Sequence, residues 1–167
     1  MFKQFFPDDY QSSTYKIPFE QLYQDGYRGI IFDIDNTLVP HGAPADKRAK
    51  ELFEMLRKIG FSSCLLSNNQ EKRVNLFNKE IQTFAIYDAH KPSIKNYKKA
   101  MELMGTNKNN TIFIGDQLFT DVWGAKRAGI RNILVQPIHP KEEIQIVFKR
   151  YLEKIVLHFY KKQLKIR

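Results

Sequence analysis

The sequence is poor in cysteine, poor in acid relative to base, and without any long apolar run. Cys64 is the one cysteine in 167 residues, so no intramolecular disulfide can form and nothing points to an oxidising compartment. It lies in the apolar stretch 61–66, which makes it a small buried hydrophobe rather than a reactive thiol. No run approaches the ~20 apolar residues of a membrane-crossing helix. The start, Met1-Phe-Lys-Gln-Phe-Phe-Pro-Asp-Asp, is broken by Pro7 and two acids before a signal-peptide core could form, so a cytoplasmic location is expected. No internal repeat, low-complexity tract or linker appears, and the length suits one domain over 1–167. Acid is scarce as well: 18 Asp and Glu stand against 27 Lys and Arg, a net charge of +9. That balance favours an anionic partner, whether nucleic acid, anionic lipid or a phosphorylated substrate drawn in by the field.

What the chain does have is a regular alternation of short apolar runs and helical patterns. Strands are predicted at 30–32, 61–66, 84–87, 111–114 and 131–135. Between them lie helical periods at 45–59, 70–77, 94–104 (with Ser93 as its cap) and 122–128, several closed by glycine. Such alternation implies right-handed βαβ crossovers: an α/β fold with a central parallel sheet and helices on both faces. Residues 1–27 carry eight aromatic rings and read as an extended arm wrapped on the core, with a short helix near 19–25.

The chemistry follows the strands. Ile30, Ile31 and Phe32 run into Asp33-Ile34-Asp35-Asn36-Thr37, and two carboxylates at the mouth of an apolar strand need compensating charge. Ser67-Asn68-Asn69 follows the second strand, Lys91 lies just beyond the third, and Gly115-Asp116 with Asp121 follows the fourth. A parallel sheet brings all four strand ends to one edge, where open α/β sheets bind their ligands. A divalent cation and a phosphate are the obvious partners for this set. Taken singly, each group has a plainer role: Ser67 and Asp121 could be helix caps and Lys91 a solvated loop lysine. Asn36 suits the turn, Phe119 and Trp123 suit packing, and His41 and His90 could reach a substrate from loops over the site.

Phe-Asp33-Ile-Asp35-Asn-Thr37-Leu-Val, together with Gly115-Asp116-Gln-x-x-Thr-Asp121-Val, resembles the haloacid dehalogenase-like (HAD) superfamily of phosphohydrolases, over residues 29–135. Within it the motifs look most like the YqeG family of class IIIA phosphatases, relatives of mitochondrial phosphatidylglycerophosphate phosphatases. The resemblance implies a HAD-like Rossmannoid three-layer sandwich. It implies Asp33 as nucleophile forming an aspartyl-phosphate, and Asp35 as the acid that protonates the leaving oxygen and then the base that activates water. Mg²⁺ would be held by the Asp33 and Asp116 carboxylates, the Asp35 main-chain carbonyl and Asp121, directly or through water. Ser67, the Asn68 N–H and Thr37 would bind the phosphoryl group, and Lys91 would offset the gathered negative charge.

Spacing excludes one common attachment. Residues 38–66 number 29 and residues 68–90 number 23, too few in either gap for an inserted cap domain. An open site suits a phosphate carried on something large or embedded in a surface; together with the family resemblance and the basic C-terminal helix, it makes phosphatidylglycerophosphate the expected substrate. A small soluble phosphate ester is the alternative substrate. Residues 141–167 hold eight Lys and Arg against three Glu, net +5, in a long amphipathic helix. Ile144, Phe148, Tyr151, Leu152, Ile155, Val156 and Phe159 fall on one side and Arg150, Lys154, Lys161 and Lys165 on the other. The helix either lays this stripe over the sheet or lies on an anionic membrane, which would make the protein peripheral to the membrane's inner face. A non-catalytic nucleic-acid- or ribosome-associated protein is the competing class, disfavoured by the complete set of acids and by the lack of an RNA-binding motif.

Overall fold

A computed structural model of the chain describes residues 2–139 and 144–165. Six parallel strands form one sheet: β1 (Asp9–Gln11), β2 (Gly29–Phe32), β3 (Ser62–Leu66), β4 (Phe84–Ile86), β5 (Thr111–Gly115) and β6 (Arg131–Val135), in the order β1-β6-β5-β2-β3-β4. The helices are α1 (Phe19–Gln24), α2 (Lys47–Ile59), α3 (Glu71–Ile81), α4 (Lys95–Met104), α5 (Trp123–Arg127) and α6 (Ile144–Lys165). β2 lies at the centre, with Gly29 opposite both Ser62 of β3 and Thr111 of β5. From β2 the chain winds outward through β3 and β4, then returns to place β5 on the other side. The crevice between β2 and β5 is therefore the point where the winding reverses, and there the crossovers diverge and leave room for a ligand.

The unbroken apolar run of β2 is explained by cover on both faces. Ile30 and Phe32 join a cluster with Phe53 of α2 and Val74 and Phe77 of α3, whereas Ile31 packs with Tyr97 and Met101 of α4. Full burial of each such side chain contributes roughly 1.5–3 kcal/mol. Asp46 caps α2 through the Ala49 N–H, and Gly60 ends it at φ 115°, a left-handed position that favours glycine. α4 begins without the expected cap: no side-chain hydrogen bond from Ser93 closes it, and its first turn follows Ile94.

Two features depart from the sequence reading. The N-terminal arm contributes a sixth strand, β1, which pairs with β6 at the sheet edge. Asp-Tyr-Gln has no strand signature, and side chains outside it hold the pairing. Asp8 accepts from the Asn132 N–H and side-chain amide, while its own N–H donates to Asn132. The arm also braces the loop after β2: Thr14 donates to the Thr37 carbonyl and Tyr15 to the Leu38 carbonyl. The second departure is in α6, whose expected first residues, from Lys141, lie outside the described part. It docks by Glu153 and Val156, both buried, with Arg150, Leu157 and Tyr160 half-buried beside them. Phe148 (66% exposed), Tyr151 (64%), Leu152 and Ile155 face away from the body of the protein, and Phe159, partly exposed, touches the ring of Phe2. Of the stripe expected to cover the sheet, Val156 is buried and most of the rest is exposed, because α6 docks by Val156, Leu157 and Tyr160 against Phe6, Leu118 and Leu134, with Arg150 and Glu153 anchored beside them.

No domain is inserted after β2 or after β3, so no cap covers the strand ends. Among the described residues no helix is long and apolar enough to cross a membrane.

Candidate active site

The parallel register brings the predicted groups together. Asp33 follows β2 directly, its N–H bonded to the Ile114 carbonyl of β5, and Asp116 follows β5. Asp33, Asp116 and Asp121 are all buried, and each offers an oxygen within 4.8 Å of the others. The Lys91 ammonium, also buried, donates to Asp33 Oδ1 and Asp121 Oδ1, both at 2.7 Å. Thr37 Oγ1 stands between two carboxylates, 3.2 Å from Asp33 Oδ2 and 3.1 Å from Asp116 Oδ1. With a single proton, its hydroxyl serves one of them at a time. Asp121 is not a helix cap. It sits in the π-helical turn Leu118–Val122, and its Oδ2 accepts the N–H groups of Asp116 and Gln117, folding that turn over the strand end. The close fit depends on Gly115, where a Cβ would run into the Asp121 carboxylate.

Burial sets the electrostatics. It pushes Asp33 from the ordinary 3.8 up to about 6, against the pull of Lys91, with Asp121 and Asp35 adding to the rise. Asp116 is also raised, first by burial and then by Asp33, with Arg150 opposing. Burial works to lower the Lys91 pKa, but Asp121 and Asp33 outweigh it and hold the ammonium above the usual lysine range. Three clustered carboxylates thus face two cations, an excess of buried negative charge. A hard divalent cation among hard oxygen donors fits that excess. Asp33, Asp116 and Asp121 would be its carboxylate ligands.

Asp35 is placed differently. It lines the same cavity of about 190 Å³ as Asp33, Ser67, Asn68 and Lys91, but its carboxylate turns toward the outer loops. It accepts the Gly42 N–H at 2.8 Å, Asn69 Nδ2 at 2.9 Å, and Arg73 through Nε at 3.1 Å and Nη2 at 2.9 Å. His41 lines the cavity with its Nδ1 3.9 Å from Asp35, whereas His90 is exposed in a loop and does not line it. Ser67 is buried at the mouth of β3 and its hydroxyl accepts the Asn69 N–H. Among the described residues no protein acceptor takes the Asn68 N–H, and the Asn68 side chain clamps the Lys91 main chain by two hydrogen bonds. Phe119 and Trp123 pack on Phe5, as structural rings rather than a platform in the cavity.

Comparison with known proteins agrees with this geometry. The Bacillus subtilis (strain 168) protein named "Probable phosphatase YqeG" is 38% identical over 165 residues, covering 98% of this chain and 96% of the relative. The chain belongs to the YqeG family of HAD-like phosphatases. The HAD-hydrolase-like family model matches residues 89–144, the stretch that holds Lys91, Asp116 and Asp121. Phosphatidylglycerophosphate phosphatase 1, chloroplastic/mitochondrial, of Arabidopsis thaliana is 25% identical, covering 89% of this chain and 45% of the relative. In fold, a HAD-superfamily hydrolase from Ehrlichia chaffeensis superposes with a TM-score of 0.53 at 15% identity, over 77% of this chain and 97% of that one.

Two arginines complete the site of this YqeG-family phosphatase, and neither was predicted. Arg73, on the first turn of α3, was legible only as a helix residue six positions after Ser67; its forked contact with Asp35 needs the fold. Arg150 comes from α6, where its charge read as part of a solvated face. Its guanidinium binds the Asp116 carboxylate and carbonyl, and Nη1 reaches Glu153 at 2.9 Å. Glu153 in turn accepts the Leu118 N–H at 2.8 Å, which ties α6 to the turn carrying Asp121.

Proposed function

We propose that this phosphatase is Mg²⁺-dependent, works through an aspartyl-phosphate, and acts on a phosphate monoester carried by a membrane lipid, with phosphatidylglycerophosphate the best candidate. In the first step an Asp33 carboxylate oxygen would bond to phosphorus as the bond to the leaving oxygen breaks, and that oxygen takes the proton of Asp35. In the second, water attacks the phosphorus of the aspartyl-phosphate as the bond to the Asp33 oxygen breaks, freeing the Asp33 carboxylate and inorganic phosphate, and the water's proton passes back to Asp35. Ser67 and the Asn68 N–H would hold phosphoryl oxygens, with Lys91 countering the charge that builds on them. Thr37 would orient the Asp33 and Asp116 carboxylates rather than grip phosphate, since its hydroxyl lies within reach of both and donates to one at a time. A bound Mg²⁺ would supply electrostatic stabilisation of the phosphoryl oxygens.

The observation that carries the lipid reading is the outer face of α6. Phe148, Tyr151, Leu152, Ile155 and Phe159 are exposed together on the helix whose other face, through Arg150, touches the acid cluster. Lys154, Lys161 and Lys165 run along the flank of the same helix. An amphipathic helix of this kind lies in the plane of an anionic bilayer, with each nearby basic side chain contributing about 1 kcal/mol. The uncapped strand ends leave the cavity open to a headgroup held at that surface. The protein would then be cytoplasmic and peripheral to the membrane. The Arabidopsis relative's name supports the choice of phospholipid.

Sedimentation with vesicles tests it. The protein should pellet with vesicles containing phosphatidylglycerol and not with pure phosphatidylcholine, and salt should release it. The double variant Phe148→Glu, Ile155→Glu should lower the ratio of turnover on phosphatidylglycerophosphate in vesicles to turnover on an aryl phosphate. A protein that ignores anionic vesicles and prefers a soluble ester would overturn the lipid reading and leave a phosphatase of small soluble esters.

A further inference from the structure

A second cavity of about 420 Å³ lies beside the acid cluster, between the C-terminal ends of β1 and β6 and the flank of α6. It adjoins the phosphate cavity: Asp116 lines the one and Gln117, next in the chain, lines the other. Its apolar side is formed by Leu134, Val135 and Leu157. Its helix side presents Arg150, Lys154 and Lys161, spaced i, i+4 and i+11 and so aligned along one flank.

The acids in the wall are already engaged. Asp116 is held by Thr37 and Arg150, and Glu153 by Arg150 and the Leu118 N–H. Among the described residues no carboxylate lies within 4.0 Å of the Lys154 or Lys161 ammonium; Lys161 Nζ stands 5.5 Å from the centre of the Tyr10 ring. Among the described residues, Lys154 and Lys161 therefore present positive charge without an ion-pair partner beside an apolar floor, next to the site where the phosphatase reading places the phosphate. Cationic clefts with low-dielectric walls concentrate anions.

We infer that this groove is a subsite for a second anionic group of the substrate, a phosphodiester or second phosphate a few bonds from the one hydrolysed. Lys154 and Lys161 would bind it, and Leu134, Val135 and Leu157 would pack against the carbon skeleton between the two groups. The inference rests on the phosphatase reading for the position of the first phosphate, but not on the lipid reading, since a soluble bisphosphate offers the same chemistry as a phospholipid.

Binding to the Asp33→Asn protein, in which the ligands would survive, tests the subsite without need of turnover. Calorimetry should find glycerol 1,3-bisphosphate binding about tenfold more tightly than glycerol 3-phosphate, the gain expected from one additional charge-assisted contact. Adding Lys154→Ala and Lys161→Ala should remove most of that preference. Lys47→Ala and Lys58→Ala on α2, far from the groove in sequence and exposed, should preserve it and so control for the general field. Short-chain phosphatidylglycerophosphate identifies the source: preference for it, lost in the groove variant, assigns a phosphodiester, whereas preference for the bisphosphate alone assigns a soluble ligand. No preference for either second anion overturns the subsite, as does a preference that survives the groove variant or falls equally in the α2 control. Failure of the lipid reading shows separately, in the vesicle experiment.

Discussion

Replacing Asp33 by Asn should kill catalysis and yet stabilise the metal-free protein at neutral and alkaline pH. Burial raises Asp33 from 3.8 to about 6, so the folded state binds its proton more tightly than the unfolded chain does. The contribution to stability is therefore full below the unfolded value and is lost as pH rises through about 6. A rise of about two units corresponds to about 3 kcal/mol. Asn keeps the shape and an acceptor for Lys91, which stands 2.7 Å away, but carries no charge to desolvate. Relative to wild type, Asp33→Asn should gain about 2–3 kcal/mol between pH 4.5 and pH 8 in chelator. Urea unfolding at both pH values measures this, and phosphate release from an aryl phosphate measures the catalytic loss. Saturating Mg²⁺ should close the gap at pH 8, because the cation binds the native wild type and contributes about 2.7 kcal/mol at a hundred times its Kd. A stability difference that does not change with pH would refute the claim that Asp33 is held against its charge, and retention of most activity would refute its role as nucleophile.

Asp35→Asn should slow turnover by on the order of 10²–10⁴-fold on alkyl phosphates and by less on esters with good leaving groups, which need little protonation. Steady-state rates across a leaving-group series decide it; equal losses throughout would reduce Asp35 to a structural role. Arg150→Ala leaves the buried Asp116 and Glu153 carboxylates without their cation and should cost about 3–5 kcal/mol of stability in chelator. The cost should be smaller in Mg²⁺, if guanidinium and metal offset the same negative charge; equal losses by denaturant titration in both conditions would show that they do not.

Much of the strand ends was readable in the linear chain. Asp33, Ser67, Lys91 and Asp116 each follow an apolar run, and parallel strands have only one edge on which to bring such groups together. Short gaps likewise excluded a cap, because a chain of that length is used up by one helix and one strand. These are local patterns with one geometric outcome. Three things were settled instead by contacts between segments far apart in sequence. Asp-Tyr-Gln becomes strand β1 because Asp8 and Asn132 hold each other across 124 positions. The Asp35 carboxylate turns to Arg73 because α3 carries that guanidinium past the end of β2, which no spacing rule reveals. Finally, α6 could dock by its apolar stripe or by its polar flank, and periodicity names both faces without ranking them. Arg150 on the acid cluster, Glu153 on the Leu118 N–H, and Val156 and Tyr160 against Phe6, Leu118 and Leu134 together fix the docked face and leave Phe148 and Tyr151 to solvent. The stripe's composition is written in the sequence; which way it faces follows from charge and from apolar partners, Phe6, Leu118 and Leu134, that come together only after the chain has folded.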